Sequence, residues 1–304
     1  MSHQFENICV IGIVTLTEEE LARIQSYSKT KIQFFPKLSQ SSKTIAKHIG
    51  NSDCLLASRH LKLDATVFKK CTALKYIGIY GTSLENIDLD SAKVHKVPVK
   101  NVPQYYDYDI VEYVIAELLQ KIRGLDTVSW WKAPSSLEGK TIGIVGLGAV
   151  GKGLAKVAQA LKMRAVYFDQ FRHEDVEKIG VPYRELDALL KESDIISVNV
   201  RVTSPMFLKA QFDLMKDGAI LISISDGEVF KIADFTKWIS NPHNLAIFDA
   251  IGGEEYGQFK SLKNVSISKR DAYVTKESFE RLSKGFIKNL AEFCRTAAKV
   301  ETVD

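Results

Sequence analysis

The sequence has few cysteines, and none of them forms a metal-binding or redox pair. The four thiols lie far apart, at Cys9, Cys54, Cys71 and Cys294, so zinc sites and dithiol redox motifs are disfavoured and no metal is expected. Cys9 and Cys54 fall in apolar runs, where a buried thiol acts as a small hydrophobic side chain. Because the N-terminus also lacks an export signal, free thiols favour a cytoplasmic protein.

The sequence also lacks long hydrophobic runs and an excess of one charge. No apolar stretch reaches the length that crosses a bilayer. Lys and Arg number 41 against 37 Asp and Glu, a net charge of only +4, and the two signs are interspersed. The lysines at 29, 31 and 37 lie among apolar residues and fit a solvated face better than a phosphate-binding track. We therefore expect neither a membrane nor a nucleic acid as partner.

What the chain does contain is a repeated alternation of strand and helix patterns. Its 304 residues are too many for one small core, so two domains are expected. In the first series, strands are predicted at 7–14, 31–35, 54–57 and 74–79, with helices at 41–49 and after the capping residues Thr17 and Asp64. Such alternation is typical of parallel sheets with helical crossovers.

The second series follows a helical stripe from 105 to 123. Strands are predicted at 141–145, 164–168, 195–198, 219–223, 245–248 and 265–268, and helices at 150–161, 185–191, 211–214, 232–240 and 276–298. The predicted fold class is α/β, with two Rossmann-like doubly wound domains and a cleft between them. We place one domain at 1–100, completed by 275–304, and the other at 101–274.

The most specific motif is a glycine-rich turn between a strand and a helix. It follows the apolar strand 141–145 and reads Gly146, Leu147, Gly148, Ala149, Val150, Gly151. The first glycine permits the tight turn, the second lets the backbone approach a pyrophosphate, and the third allows close packing of helix on strand. The helix N-terminus then presents free N–H groups to the phosphates. The motif predicts dinucleotide binding at Gly146, Gly148, Ala149, Val150 and Gly151.

An acidic residue indicates which dinucleotide binds. Asp169 ends the next strand, eighteen residues beyond Gly151, where a carboxylate is expected to bind the ribose 2′-hydroxyl. This charge would repel the 2′-phosphate of NADP, and although Arg172 is of the type that binds such a phosphate, Asp169 stands in the way. The predicted cofactor is therefore NAD.

With these motifs in place, the sequence resembles the D-2-hydroxyacid dehydrogenases over nearly its whole length. The segments that carry the resemblance are 74–81, 86–88, 101–103, 137–148, 214–223, the pair Asp249 and Glu254, and 264–265. The resemblance implies that 1–100 is a substrate-binding lid domain and that NAD lies in the cleft. It also implies hydride transfer between nicotinamide and C2 of a 2-oxo or 2-hydroxy acid.

The family's catalytic residues are only partly present. The resemblance implies an Arg that grips the substrate carboxylate and carbonyl, a His that exchanges a proton with the C2 oxygen, and a Glu that raises the pKa of that His. Glu254 occupies the Glu position, but Asp226 stands at the Arg position and Arg270 at the His position. Arg201 replaces a usual Pro. Asp226 would repel a carboxylate, and Arg270 is no acid at neutral pH, because an arginine guanidinium stays protonated there.

The resemblance also assigns contacts to the ligands. We assign Val200, Arg201, Ser225 and Asp249 to the cofactor, and the loop Tyr80, Gly81 and Thr82, with Arg201 and Arg270, to a small anionic substrate. The catalytic candidates are Glu254, Arg270 and Asp226. We expect Arg270 to pair with Glu254, with Asp226 as a further candidate for the same ion-paired cluster, because buried charges without partners are costly.

Three interpretations stay open. The first is an NAD oxidoreductase with rebuilt chemistry, in which Arg270 or Arg201 holds the substrate and a tyrosine or Lys269 carries the proton. The second is a catalytically silent NAD-binding sensor or partner-binding protein. The third, an enzyme that uses NAD without redox chemistry, has no specific support in the sequence.

A short segment bears on assembly. Residues 124–136 form a shorter stretch than is usual in the family, where this region helps to build the dimer. The stretch contains Trp130 and Trp131, which suit an interface if they are exposed and otherwise pack on the helix 105–123. We expect a homodimer.

Overall fold

The computed structural model describes residues 5–125, 134–200, 204–225 and 227–300. The chain divides into two compact units, Met1–Tyr105 with Thr275–Asp304 and Tyr106–Val274. This division lies five residues beyond the expected one, because backbone groups of 101–105 are bonded to the first unit. The Val102 N–H donates to Gly81 O (3.0 Å), the Asn289 side chain to Asn101 O (2.8 Å) and Arg281 Nε to Tyr105 O (2.7 Å).

The first unit is built on a parallel sheet that has five strands in the described part of the chain, in the order β2-β1-β3-β4-β5. The strands are β1 Ile8–Ile11, β2 Gln33–Phe35, β3 Cys54–Ser58, β4 Tyr76–Tyr80 and β5 Val99–Lys100. The connecting helices are α1 Glu18–Gln25, α2 Ser42–Ile49, α3 Ala65–Lys70 and α4 Leu89–Val94. β1, β3 and β4 are buried throughout, which explains their continuous apolar sequences.

Both predicted caps are present in this unit. Thr17 accepts from Glu20 N–H while the Glu20 carboxylate accepts from Thr17 N–H, which forms a capping box at α1. Asp64 accepts from the N–H groups of Thr66 (3.0 Å) and Val67 (3.2 Å) and fixes the start of α3.

The second unit is built on a six-stranded sheet, counted over the described residues, in the order β11-β10-β9-β8-β6-β7. All of the pairings are parallel. Its strands are β6 Thr141–Val145, β7 Arg164–Phe168, β8 Ile195–Val198, β9 Ile220–Ser223, β10 Leu245–Phe248 and β11 Val265–Ile267. Its helices are α5 Asp107–Ile122, α6 Ala149–Ala160, α7 Glu174–Glu177, α8 Leu186–Glu192, α9 Lys209–Leu214, α10 Ile232–Ile239 and the 3₁₀ helix Glu254–Phe259.

A single parallel bridge beyond β7, between Tyr167 and Tyr183, stands where a Rossmann sheet has a further outer strand. The core lies on both faces of the sheet, and α5 packs against α6.

The last helix, α11 Lys276–Val300, returns to the first unit and packs on β4. Its buried face includes Leu282, Phe286, Leu290 and Cys294. The Phe286 ring meets the Tyr80 ring edge-on, with centroids 5.3 Å apart. No helix in the described ranges has the length and hydropathy needed to cross a membrane.

Candidate functional site

The order of strands in the second unit opens a crevice beside β6. The chain runs from β6 to β7 on one side and then crosses to β8 on the other, and ligands of α/β proteins bind at the carboxyl ends of strands at such a point. Gly146 follows β6 with φ +92°, and its N–H donates to Phe168 O (2.9 Å). Asn199 follows β8, and its N–H donates to Val145 O (2.8 Å).

The three glycines of the motif have different surroundings. A Cβ on Gly146 would lie 2.6 Å from Val200 Cγ1, and one on Gly151 would lie 2.3 Å from Gly146 O. Neither position has room for a side chain. A Cβ on Gly148 would meet nothing within 4 Å, and this residue is exposed. Gly146 and Gly151 therefore shape the turn, whereas Gly148 leaves open space in front of the backbone, as a phosphate cradle requires.

The helix that follows is available to an anion. Gly148 is the N-cap of α6, and no side chain in the described part of the protein caps this end. Ala149 and Val150 form the first turn, where backbone N–H groups have no partner within the helix. The positive end of the helix dipole faces the same position, so the turn suits the pyrophosphate of a dinucleotide.

Asp169 is fixed to this turn by its carboxylate. Its Oδ2 accepts from Leu147 N–H (2.6 Å) and its Oδ1 from Phe171 N–H (3.4 Å). His173 Nε2 lies 3.9 Å from Oδ2, and the Asp169 side chain is 21% exposed. The acid at the end of β7 thus stands directly beside the glycine turn, and its carboxylate retains lone pairs for a ribose hydroxyl.

A cavity of about 540 Å³ joins these elements. It is lined by Gly146, Gly148, Phe168, Asp169, Gln170, Asn199, Val200, Ser204, Pro205 and Met206. Its volume is within the range of small-molecule and cofactor sites. The open space at Gly148, the uncapped helix and the carboxylate fit an adenine dinucleotide. When bound, NAD supplies a nicotinamide C4 that accepts or donates hydride.

Two other residues assigned to the cofactor are engaged in the protein. Ser225 is buried and its Oγ donates to Val198 O (3.1 Å). Asp249 is also buried, and its two oxygens accept from the N–H groups of Gly252 (2.7 Å) and Ala272 (2.9 Å). Burial raises the pKa of Asp249 above its ordinary value. Asp249 thus joins the segment after β10 to the segment after β11.

The catalytic candidates that the structure describes do not form a pair. Glu254 begins the 3₁₀ helix and Arg270 follows β11, and both side chains are exposed. Within the described residues, Arg270 has no ion pair with Glu254 or with another acid; its backbone N–H donates to Ser268 Oγ (3.1 Å). The expected Glu254–Arg270 contact is therefore not formed. Asp226 and Arg201 lie outside the described residues, as do Trp130 and Trp131.

Comparison with known proteins identifies the chain. Residues 116–268 match the model of the D-isomer specific 2-hydroxyacid dehydrogenase NAD-binding domain. The chain belongs to the D-isomer-specific 2-hydroxyacid dehydrogenase family. NAD is its cofactor, as the glycine turn and Asp169 together predicted.

Relatives and solved structures extend this likeness over both units. A hydroxypyruvate reductase of Blautia hydrogenotrophica is 27% identical over 83% of this chain and 85% of its own length. A glyoxylate reductase of Korarchaeum cryptofilum is 29% identical over 84% and 83%. A D-lactate dehydrogenase structure from Aquifex aeolicus, in complex with NAD and lactic acid, matches with a TM-score of 0.78 at 22% identity, covering 96% of this chain and 97% of that one. The predicted class of two Rossmann-like α/β domains is confirmed.

The segment assigned to substrate in this dehydrogenase-family protein follows β4. The Tyr80 hydroxyl is buried and donates to Thr15 O (2.7 Å), with Ser283 Oγ at 3.0 Å. Burial raises the pKa of Tyr80, so Tyr80 is a structural residue here and a poor proton donor. Gly81 has φ +148°. Thr82 Oγ1 is buried and has no hydrogen-bond partner in the described protein.

The structure adds Arg59, which the sequence reasoning missed. Arg59 follows β3, and its side chain lies against Gly81: a Cβ on Gly81 would be 2.9 Å from Arg59 Cβ and 3.0 Å from its Cδ. Its Nε donates to His60 Nε2 (3.2 Å). The available signal was an arginine immediately after a buried strand, at the carboxyl edge where α/β proteins bind ligands. Arg59 thus places a guanidinium side chain beside the predicted substrate loop.

Proposed function

We propose that this protein is an NAD-dependent oxidoreductase that transfers hydride to or from a 2-oxo acid, a 2-hydroxy acid or a related anionic substrate, with atypical catalytic residues. The observation that best supports this proposal is the cradle of Gly146, Gly148 and Gly151, with the Asp169 carboxylate hydrogen-bonded to its turn. Hydroxypyruvate and glyoxylate, named in the relatives, are small 2-oxo acids and the first substrates to test.

Arg59 is the group we propose to hold the substrate carboxylate. A guanidinium binds a carboxylate with two parallel hydrogen bonds, which a lysine does less well. The family's Arg position carries Asp226, so another cation must supply this contact. Arg59 lies against Gly81 in the predicted substrate loop, and the adjacent Thr82 has a buried hydroxyl without a hydrogen-bond partner among the described residues.

The alternative is a catalytically silent NAD-binding protein that acts as a sensor or binds a partner. The exposed Glu254 and Arg270, which do not contact each other, favour it because the family's acid–base relay is not rebuilt between them. Both functions require NAD binding, and they differ only in turnover.

The deciding experiment follows the oxidation of NADH with glyoxylate, hydroxypyruvate and pyruvate at several pH values. We expect turnover of at least one acid. Arg59→Lys should raise KM about tenfold, the effect of losing one charge-assisted hydrogen bond. The matched control is Arg23→Lys, because Arg23 is an exposed arginine of the same unit. NADH binding without oxidation by any of the acids would establish the silent alternative.

We further expect a homodimer in the cytoplasm. All four cysteines are free and buried, in keeping with a reducing compartment. Sedimentation equilibrium would report a mass near twice the chain's 34.0 kDa, and a mass of one chain would contradict the dimer.

A further inference from the structure

Close to Asp169 in the sequence, an arginine is held by a set of contacts that NAD binding does not require. Arg172 lies three residues beyond Asp169, in the loop between β7 and α7. Its Nε donates to Glu177 Oε1 (2.9 Å) and its Nη2 donates to Glu177 Oε2. The pair is therefore bidentate, the strongest geometry that this ion pair adopts.

Further contacts fix both members of the pair. The buried Tyr167 hydroxyl donates to Glu177 Oε1 (2.8 Å) and accepts from His173 N–H (2.7 Å). The Arg172 guanidinium lies over the Tyr183 ring, 5.1 Å from its centroid. The hydrogen bonds from Arg172 and then from Tyr167 lower the pKa of Glu177 to about 2, so the pair stays ionised in the physiological range.

The position of Arg172 relates these contacts to the choice between NAD and NADP. In Rossmann domains that bind NADP, an arginine near the ribose accommodates the 2′-phosphate. Asp169 Oδ1 accepts from Phe171 N–H, so the loop that carries Arg172 turns directly from the ribose ligand. The Arg172 side chain is 64% exposed, yet its hydrogen-bonding edge faces Glu177.

We propose that Glu177 is a positioning residue for cofactor specificity, which holds Arg172 away from the ribose 2′ position. Rejection of NADP then has two sources: the charge of Asp169 repels the phosphate, and Glu177 withholds the cation that would bind it. This inference depends on NAD binding and not on turnover, so binding measurements test it even if no substrate is reduced.

The test compares dissociation constants of NADPH and NADH for Asp169→Ala, Glu177→Gln and the double variant. In the Asp169→Ala background, Glu177→Gln should tighten NADPH binding about tenfold relative to NADH, because Arg172 is released to form a charge-assisted hydrogen bond. The matched control is Glu174→Gln, which removes the same charge from α7 at a side chain that is 84% exposed and pairs with Lys178. An equal gain with Glu174→Gln would show a general charge effect and would overturn the proposal.

A second comparison removes Arg172, and its first arm does not require the double variant to fold. Adding Arg172→Ala to Asp169→Ala should leave NADPH affinity unchanged, because Arg172 is held by Glu177 in that protein. Adding it to the double variant should abolish the tenfold gain. A loss of NADPH affinity in the first case, with NADH affinity retained, would show Arg172 already at the phosphate and would refute the role of Glu177.

Discussion

Gly148 and Gly151 belong to the same turn, but we expect an added methyl group to affect cofactor binding at Gly148 and stability at Gly151. In Gly151→Ala the Cβ would overlap Gly146 O, so we expect a loss of about 1–3 kcal/mol of unfolding free energy. In Gly148→Ala the Cβ enters open space, and φ is an ordinary −66°, so stability should change by no more than about 0.5 kcal/mol. Gly148→Ala should instead weaken NADH binding about tenfold, because the methyl group occupies the approach of the phosphates.

Urea denaturation and NADH titration of the two variants separate these effects. Unaltered NADH affinity in Gly148→Ala would contradict the placement of the pyrophosphate at this turn.

The four buried thiols should be inert in the native protein. Burial raises the pKa of Cys9 and of Cys294 from 9.0 to about 12, and it raises the pKa of Cys54 and Cys71 in the same direction. At pH 8 a thiol reagent should therefore label no cysteine without denaturant and four with it. Rapid native labelling of one thiol would show an opening of the fold or a reactive site.

The same shifts predict how stability depends on pH. The thiols of the unfolded chain ionise near pH 9, below the native values, so the native state binds more protons above that pH. This contribution is complete below pH 9 and is lost as pH rises through about 12. Urea midpoints should fall between pH 8 and pH 10.5, and a constant midpoint would be inconsistent with the raised pKa values.

At the residue level, the sequence points to candidate ligand contacts that depend on a motif and misses candidates that depend on the apposition of distant segments. Gly148 and Asp169 were predicted because spacing along the chain determines their roles. Arg59 was not, because its contact with Gly81 joins the ends of two strands. The sequence also does not show that the carboxylate of Asp249 is used by backbone donors.

Among the secondary-structure elements, Asp64 connects two helices of the first unit. Besides capping α3, its Oδ2 accepts from Ser42 Oγ (2.5 Å) at the start of α2. The Ser42 bond and then the backbone bonds lower the pKa of Asp64. Asp64→Ala should cost about 1–2 kcal/mol of unfolding free energy, whereas Asp64→Asn, which keeps an acceptor, should cost much less. Equal losses in thermal denaturation would show that the charge matters more than the cap.

Prediction of elements succeeded where burial gives a long uniform signal. The strands β6, β7, β8 and β10 have the predicted bounds, because each is a run of buried apolar residues between turns. The helices α4 and α7 were missed, and α7, with four residues, is too short to show a helical period. β5, with two residues, gives no pattern at all.

At the scale of the whole molecule, the C-terminal helix α11 supplies part of the core of the first unit, whose sheet comes from the N-terminal segment. Phe286 is 2% exposed and contacts Tyr80, and a Cβ on Gly78 would lie 3.2 Å from its ring. Phe286→Ala should therefore lower the unfolding free energy by about 3–5 kcal/mol. The control is Lys288→Ala, whose side chain is 74% exposed on the same helix and should have little effect. Urea denaturation tests both, and a small effect of Phe286→Ala would contradict the packing of α11 on β4.

The return of α11 to the first unit has a consequence for the order of events on the ribosome. When Tyr105 has been made, the face of β4 that meets Phe286 still lacks its cover, and 169 residues lie between Tyr105 and Thr275. At cellular rates of translation this delay lasts on the order of ten to thirty seconds. The second unit can thus complete its core before the first unit, whose last helix is synthesised later. During that interval the nascent N-terminal sheet is exposed and suited to binding by chaperones.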